Sequence, residues 1–144
     1  MLKIDNNLER IGDIAEGIAK YVIETPVNFE TKLLETTQVL RMYQEGVNIL
    51  MDTRIAFEKE DTQLARSIFK RDEVLDQINR EANGNIAALI KEDIKSINEA
   101  LYILSIIRKL ERVGDQSKNI AEEIIFYVEA KILKHTSRSS KGDI

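Results

Sequence analysis

Apolar and polar residues recur with a helical period along nearly the whole chain. No segment shows the sustained apolar–polar alternation of a strand, and six glycines and one proline leave few tight turns. The pattern predicts four helices, over residues 5–24, 31–59, 62–90 and about 94–133. Pro26 ends the first helix and Asp61 is the expected N-cap of the third.

Two of these helices carry apolar rows that predict how they pack. In the second helix we expect a core stripe formed by Leu33, Leu40, Tyr43, Val47, Leu50 and Phe57. A parallel row widens this face and consists of Val39, Met42, Gly46 and Ile49. In the fourth helix one row is clear: Ala100, Ile103, Ile107, Leu110, Gly114, Ser117, Ala121, Ile124 and Val128. Because long helices joined by short turns pack side by side, the sequence predicts an all-α, antiparallel bundle. The polar, serine-rich segment 134–144 is aperiodic, and we expect it to be disordered or loosely attached.

Composition narrows the possible chemistry. The chain has no cysteine and one histidine, His135, which excludes disulfides, zinc fingers, iron–sulfur clusters, thiol catalysis and multi-histidine zinc sites. A net charge of −4 gives no electrostatic case for nucleic-acid binding. The start of the chain has no signal-peptide pattern and no apolar stretch approaches the ~20 residues that cross a bilayer. We therefore expect a cytoplasmic protein without membrane insertion, peripheral to a membrane at most.

A six-residue signature occurs twice. Leu8-Glu-Arg-Ile-Gly-Asp13 matches Leu110-Glu-Arg-Val-Gly-Asp115, and the match continues into the following turns. The offset implies a repeat unit of three helices whose third helix carries the signature. We assign residues 1–25 to the third helix of an incomplete first unit and 28–133 to a complete second unit. Since glycine costs about 1 kcal/mol inside a helix, Gly12 and Gly114 predict close approach of a neighbouring helix or a ligand.

Carboxylates occupy positions where the helical pattern expects apolar side chains. In the third helix, Asp72 and Asn79 fall in the core row, and Asp76 lies one turn beyond Asp72. A buried carboxylate without a partner is expensive, so a basic residue, a hydrogen-bond network or a metal ion must compensate.

The fourth helix supplies matching acids. Glu111, Asp115 and Asn119 follow one another at intervals of one turn along the edge of its apolar row. If the third and fourth helices are antiparallel neighbours, Asp72, Asp76, Glu111 and Asp115 converge. Such an all-oxygen site suits hard cations such as Mg²⁺ and Mn²⁺. Glu9 and Asp13 of the first helix would form half of a second site whose other half this chain does not contain.

The pattern alone leaves a second interpretation open. Arg71, Arg108, Arg112 and Lys118 are close enough in sequence to neutralise the acids as a structural ion-pair network. His135 is a weak candidate ligand, because a histidine in a polar terminal segment is usually solvated. No nucleophile-and-base arrangement and no phosphate-binding glycine loop is present, so the residues predict no enzyme.

These motifs resemble the PhoU family of phosphate-uptake regulators. The segment Leu110 to Glu123 is similar to the family's third-helix signature, Asp72 to Asp76 to its second-helix acidic motif, and Glu9 to Asp13 to the signature of its first repeat. The resemblance extends over nearly the whole chain. It implies two three-helix repeats, of which the first two helices of the first are missing here.

The resemblance also implies a function. Members of the family are negative regulators of the phosphate regulon and of phosphate import, and are thought to contact the Pst ABC transporter and a sensor histidine kinase. Some bind iron or zinc clusters through acidic motifs. Carried over, the ligands are Glu9, Asp13, Asp72, Asp76, Glu111 and Asp115, with Asn79 and Asn119 as accessories.

Three further expectations follow. The apolar face of the first helix lacks its usual partners, so we expect it to be buried in a homodimer or higher oligomer, or against the remaining bundle. This face consists of Leu8, Ile11, Ala15, Ile18 and Val22. A metal-binding or metal-storing protein is an alternative function. A PhoU-like domain that accompanies another phosphate transporter, such as a sodium-coupled one, is a third.

Overall fold

The computed structural model describes residues 2–24, 29–92 and 97–142, and within these ranges it contains five helices and no strand. The break predicted at Pro26 lies outside them. The helices are α1 (Leu2–Glu24), α2 (Thr31–Thr37), α3 (Val39–Lys59), α4 (Thr62–Glu92) and α5 (Ile97–Gly142). None of them, over the residues described, combines the length and the apolar content needed to cross a membrane. The all-α prediction is confirmed.

The second predicted helix is two helices, which corrects the sequence analysis. Gln38 adopts a left-handed conformation with φ 57°, which interrupts the helix between Thr37 and Val39. The Thr37 hydroxyl donates to the Leu33 carbonyl at 2.7 Å, so the last turn of α2 satisfies its own backbone. Of the expected stripe, Leu33 is buried and Val47 and Leu50 are half-buried, whereas Leu40, Tyr43 and Phe57 are exposed. The parallel row is fully buried: Val39, Met42, Gly46 and Ile49.

The turn between α3 and α4 has the predicted cap. Glu60 is left-handed with φ 53° and ends α3. The Asp61 carboxylate then accepts a hydrogen bond from the Leu64 backbone N–H at 3.0 Å, as expected for an N-cap. The chain reverses here within two residues, so α3 and α4 are antiparallel neighbours.

α4 and α5 pack against each other in opposite directions. Ion pairs and hydrogen bonds link Arg66 to Glu129, Asp72 to Lys118, and Asn83 to Arg108. In these three pairs the residue numbers increase on α4 while those of the partners on α5 decrease, so the antiparallel prediction for these two helices is confirmed. Every member of the apolar row predicted for α5 is buried, from Ala100 to Val128.

α1 packs on α5 through only part of its predicted face. Ile11 is buried and Ile18 packs against the core, whereas Leu8 and Val22 are more than half exposed. The buried face of α1 runs through Ile4, Asn7 and Ile11, and this face lies against α5.

The last helix extends beyond its predicted end near residue 133. α5 continues as a helix through Gly142, and all side chains from 129 to 139 are exposed. Two of them form ion pairs with neighbouring elements, Glu129 with Arg66 and Lys131 with Glu60. Serine and threonine hydroxyls bond back to carbonyls of the preceding turn; Thr136, for example, donates to Ile132 at 3.0 Å. The hydroxyls of this exposed segment therefore find acceptors within their own helix.

Candidate functional site

Three of the predicted carboxylates meet between α4 and α5. Asp72 and Asp76 lie one turn apart on α4, and Asp115 faces them from α5. One carboxylate oxygen from each lies within 4.8 Å of the other two. Glu111 lies one turn before Asp115 on α5 and so extends the group. We call these four residues the acidic cluster.

Asp72 is the buried member of the acidic cluster. Its side chain is 1% exposed, and its Oδ1 atom has no hydrogen-bond partner. Removal from water raises the pKa of the Asp72 carboxyl, with the charges of Asp76 and Asp115 acting in the same direction and Lys118 opposing them. An unsatisfied buried carboxylate oxygen is costly, so the acidic cluster is short of a compensating partner.

Gly114 makes room for this carboxylate. A methyl group on Gly114 would collide with Asp72 Oδ1 and lie 3.2 Å from its Cγ. The close approach predicted from the helical glycine is therefore confirmed for Gly114. It is wrong for Gly12, because a side chain there would meet nothing within 4 Å.

Lys118 is the one predicted basic neighbour seen to pair with the acidic cluster among the described residues. Its Nζ atom lies 2.9 Å from Asp72 Oδ2 and 3.3 Å from Asp115 Oδ1. The hydrogen bond to Asp72 contributes most, and together these contacts raise the pKa of Lys118 above its ordinary value, so the ammonium stays charged. Arg71 pairs with Asp52 and Arg108 with Asn83.

The charges within the acidic cluster also shift the pKa of Glu111. Burial, the hydrogen bond to Asp115 and the neighbouring aspartates raise the pKa of Glu111 to about 7. The Glu111 carboxyl is therefore partly protonated near neutral pH. Four carboxyls facing one lysine leave the cluster short of positive charge.

The two accessory amides have different surroundings. Asn79 is half-buried on α4, and its Oδ1 atom is buried without a hydrogen-bond partner. Asn119 is exposed and lines a separate cavity with Asn7, Arg10 and Glu122. The structure does not bring Asn119 into the acidic cluster.

Glu9 and Asp13 lie on the exposed side of α1. They are not among the carboxylates that meet between α4 and α5. The two copies of the signature thus have different environments, since only the copy on α5 faces the acidic residues of α4.

The residues present fit a metal ion. All available donors in the acidic cluster are carboxylate oxygens, the donor type that Mg²⁺, Mn²⁺ and Ca²⁺ prefer. The unpartnered Asp72 Oδ1 points to a missing positive neighbour. Both of the sequence-based interpretations thus retain a physical basis: Lys118 forms ion pairs with Asp72 and Asp115, and the same carboxylates are of the donor type that a cation prefers.

Sequence reasoning did not single out Lys118 among four basic candidates. The signal was its position one turn after Asp115 on the same helix edge. The i,i+3 spacing brings the ammonium to Asp115, but the contact with Asp72 depends on the packing of α4.

An antiparallel bundle of long helices with an acidic cluster between two of them defines an all-α protein with a candidate cation site. Comparison with known proteins identifies the class further. The PhoU domain profile matches residues 39–124, which is more than half of the chain. The chain belongs to the PhoU family.

Several relatives match over most of this chain. It is 33% identical over 141 residues to the phosphate-specific transport system accessory protein PhoU homolog 1 of Thermotoga maritima, covering 96% of this chain and 59% of the relative. It is 32% identical to the PhoU homolog of Pseudomonas aeruginosa, covering 90% and 53%. It is 30% identical to the PhoU protein of Escherichia coli, covering 89% and 52%. The chain therefore spans between half and six-tenths of the length of these relatives.

Proposed function

We propose that this protein is a non-enzymatic regulator of phosphate uptake, acting as a negative regulator of the phosphate regulon. The observation that carries the proposal is the PhoU domain match over residues 39–124, together with relatives that are named accessory proteins of phosphate-specific transport. Its partners would be the phosphate ABC transporter and a sensor histidine kinase. Its place would be the cytoplasmic side of the membrane that holds them.

A reporter experiment tests the regulatory role. The chain is expressed in a bacterium that lacks its own PhoU and carries an alkaline phosphatase reporter for phosphate starvation. We expect the chain to lower reporter activity in phosphate-rich medium, whereas an empty vector leaves it high. Unchanged reporter activity with soluble chain present would contradict the proposal.

The partners are tested separately. The purified chain, immobilised through a tag, is offered the transporter ATPase subunit and the kinase cytoplasmic region. Retention of both supports the full proposal. Retention of a sodium-coupled phosphate transporter in place of both would favour the alternative of a PhoU-like protein that serves another transport system.

We further propose that the acidic cluster binds a divalent or trivalent cation. The support is the convergence of Asp72, Asp76 and Asp115 and the unpartnered oxygen of Asp72. The donor set favours Mg²⁺, Mn²⁺ or iron, and the family resemblance adds zinc. When bound, the ion supplies positive charge to the cluster and links α4 to α5.

Calorimetric titration with Mn²⁺ tests this site. We expect binding by the chelator-treated chain and a loss of at least about tenfold in affinity for Asp115→Asn, because one ligand is removed. Asp13→Asn is the matched control, since Asp13 occupies the same place in the other signature but lies outside the cluster. Equal losses in both variants would show that the ion binds elsewhere.

Self-association is the remaining proposal. The exposed apolar residues of α1, Leu8, Val22 and Ile23, support burial of this face in a homodimer or higher oligomer. Sedimentation velocity of the chain should show a species larger than 16.5 kDa, and a Leu8→Glu variant should shift it to the monomer. A monomeric wild-type chain would contradict it.

A further inference from the structure

Lys118 occupies the position that a bound cation would need. Its ammonium lies between α4 and α5, at 2.9 Å from Asp72 and 3.3 Å from Asp115. These two aspartates, with Asp76, are also the group whose oxygens come within 4.8 Å of one another. The lysine and a metal ion would therefore compete for the same oxygens.

The bundle needs a positive charge at this point whether or not a metal ion is present. Asp72 is 1% exposed, and the carboxylate sits in the space that the missing Gly114 side chain leaves. A carboxylate held in this way cannot turn toward water, so losing its partner would leave a buried, uncompensated charge. Lys118 supplies the compensation from within the chain.

The geometry also allows Lys118 to leave. Its side chain is 28% exposed, so the ammonium reaches solvent at one edge of the acidic cluster. The flexible four-carbon stem can swing outward without any movement of α5. Asp72, by contrast, is buried and remains in place for the incoming ion.

We propose that Lys118 is the built-in cation of the acidic cluster, which holds Asp72 and Asp115 until a multivalent metal ion displaces it. This inference rests on the cation-binding part of the proposed function. Because a metal ion must first displace Lys118, the lysine lowers the affinity of the site for that ion.

The competition also determines which ions bind. A monovalent ion that replaces the ammonium exchanges one positive charge for another and gains no Coulomb energy from the aspartates. A divalent ion doubles the charge at the same place. Lys118 therefore selects against Na⁺ and K⁺ while it admits divalent and trivalent ions.

The first experiment uses the wild-type chain. Trace acetylation with acetic anhydride, read by peptide mass spectrometry, compares lysine reactivity in chelator and in saturating Mn²⁺. We expect acetylation of Lys118 to rise several-fold with Mn²⁺, because its ammonium is released to solvent. Lys134, on the exposed end of α5, serves as the internal reference and should not change. Unchanged or lower reactivity of Lys118 when Mn²⁺ is bound would overturn the proposal.

The second experiment removes the competitor. Lys118→Met keeps the length and the apolar stem but has no charge, and we expect it to bind Mn²⁺ at least about tenfold more tightly than the wild type. Lys134→Met changes the net charge equally about 24 Å further along α5 than Lys118, and should bind as the wild type does. Circular dichroism establishes that each variant is folded. If Lys118→Met does not fold without metal, the acetylation experiment on the wild type still decides.

The outcomes separate this inference from the proposal on which it rests. Equal Mn²⁺ affinity in the wild type and Lys118→Met would leave the cation site standing and refute the role of Lys118. Absence of Mn²⁺ binding in both would refute the site and this inference together. The phosphate reporter experiment is independent of both results.

Discussion

Replacing Gly114 by alanine tests the packing of the acidic cluster. A methyl group at this position would collide with Asp72 Oδ1 and lie 3.4 Å from Leu75 Cδ2. Asp72 is buried and paired with Lys118, so its carboxylate has no solvent-filled space into which it can move. The collision must therefore be relieved by displacing the ion pair or by separating α4 from α5.

The magnitude follows from two opposing effects. Alanine in place of glycine in a helix stabilises by about 1 kcal/mol. Overpacking a well-filled interior costs about 1–3 kcal/mol. We therefore expect Gly114→Ala to lower the free energy of unfolding by up to about 2 kcal/mol, the difference between these effects.

Gly12→Ala is the matched control. Gly12 holds the same place in the other copy of the signature, and a methyl group there meets nothing within 4 Å. This variant should be more stable than the wild type by up to about 1 kcal/mol, since only the helix propensity changes. Urea denaturation followed by circular dichroism measures both variants. If both alanines stabilise the chain equally, Asp72 does not lie over Gly114 and the proposed packing is refuted.

Three further predictions concern pH, capping and the end of α5. Because the pKa of Glu111 is raised from 4.5 to about 7 in the folded chain, the folded state holds a proton that the unfolded state loses between these values. Stability should therefore fall as pH rises from about 4.5 to 7 in chelator, and Glu111→Gln should reduce this fall in urea titrations while the exposed Glu122→Gln should not. Asp61→Ala should cost about 1 kcal/mol in urea denaturation, because the Leu64 N–H loses its side-chain acceptor, and Asp61→Asn should retain most of the stability. Removal of residues 134–144 should change the free energy of unfolding by less than about 0.5 kcal/mol, since the side chains of 134–139 are exposed; a larger loss in thermal denaturation would show that this segment is packed.

The buried row of α5 could be predicted from the sequence because periodicity is a local property. Each residue from Ala100 to Val128 in that row lies at helical spacing, and no break interrupts it. The buried row of α3 could not be predicted with the same success. Both apolar rows were expected to face the core, and only packing against the neighbouring helices determines which of them is fully buried. The break at Gln38 was not predicted either, because glutamine carries no strong signal for a left-handed conformation.

The special environment of Asp72 could be predicted because a carboxylate interrupts an otherwise apolar row of its helix. A charged residue in an otherwise apolar row is either exposed, which would contradict the row, or buried with compensation. The structure shows the second case. The identity of the compensating residue was not predictable, because Arg71 and Lys118 were both available and only packing decides that Arg71 turns to Asp52.

The two signatures show what a motif can specify by itself. Residues 8–13 and 110–115 share five of six positions, and both are helical, yet only the second lies in an acidic cluster. The difference comes from Asp72 and Asp76, which α4 presents to α5 and which no described helix presents to the exposed edge of α1. A glycine in the signature gives space, and the carboxylates give donors, but the facing helix decides whether that space holds a buried charge. The chemistry of the signature therefore belongs to a pair of helices, and the pairing of α4 with α5 is the step in folding that creates it.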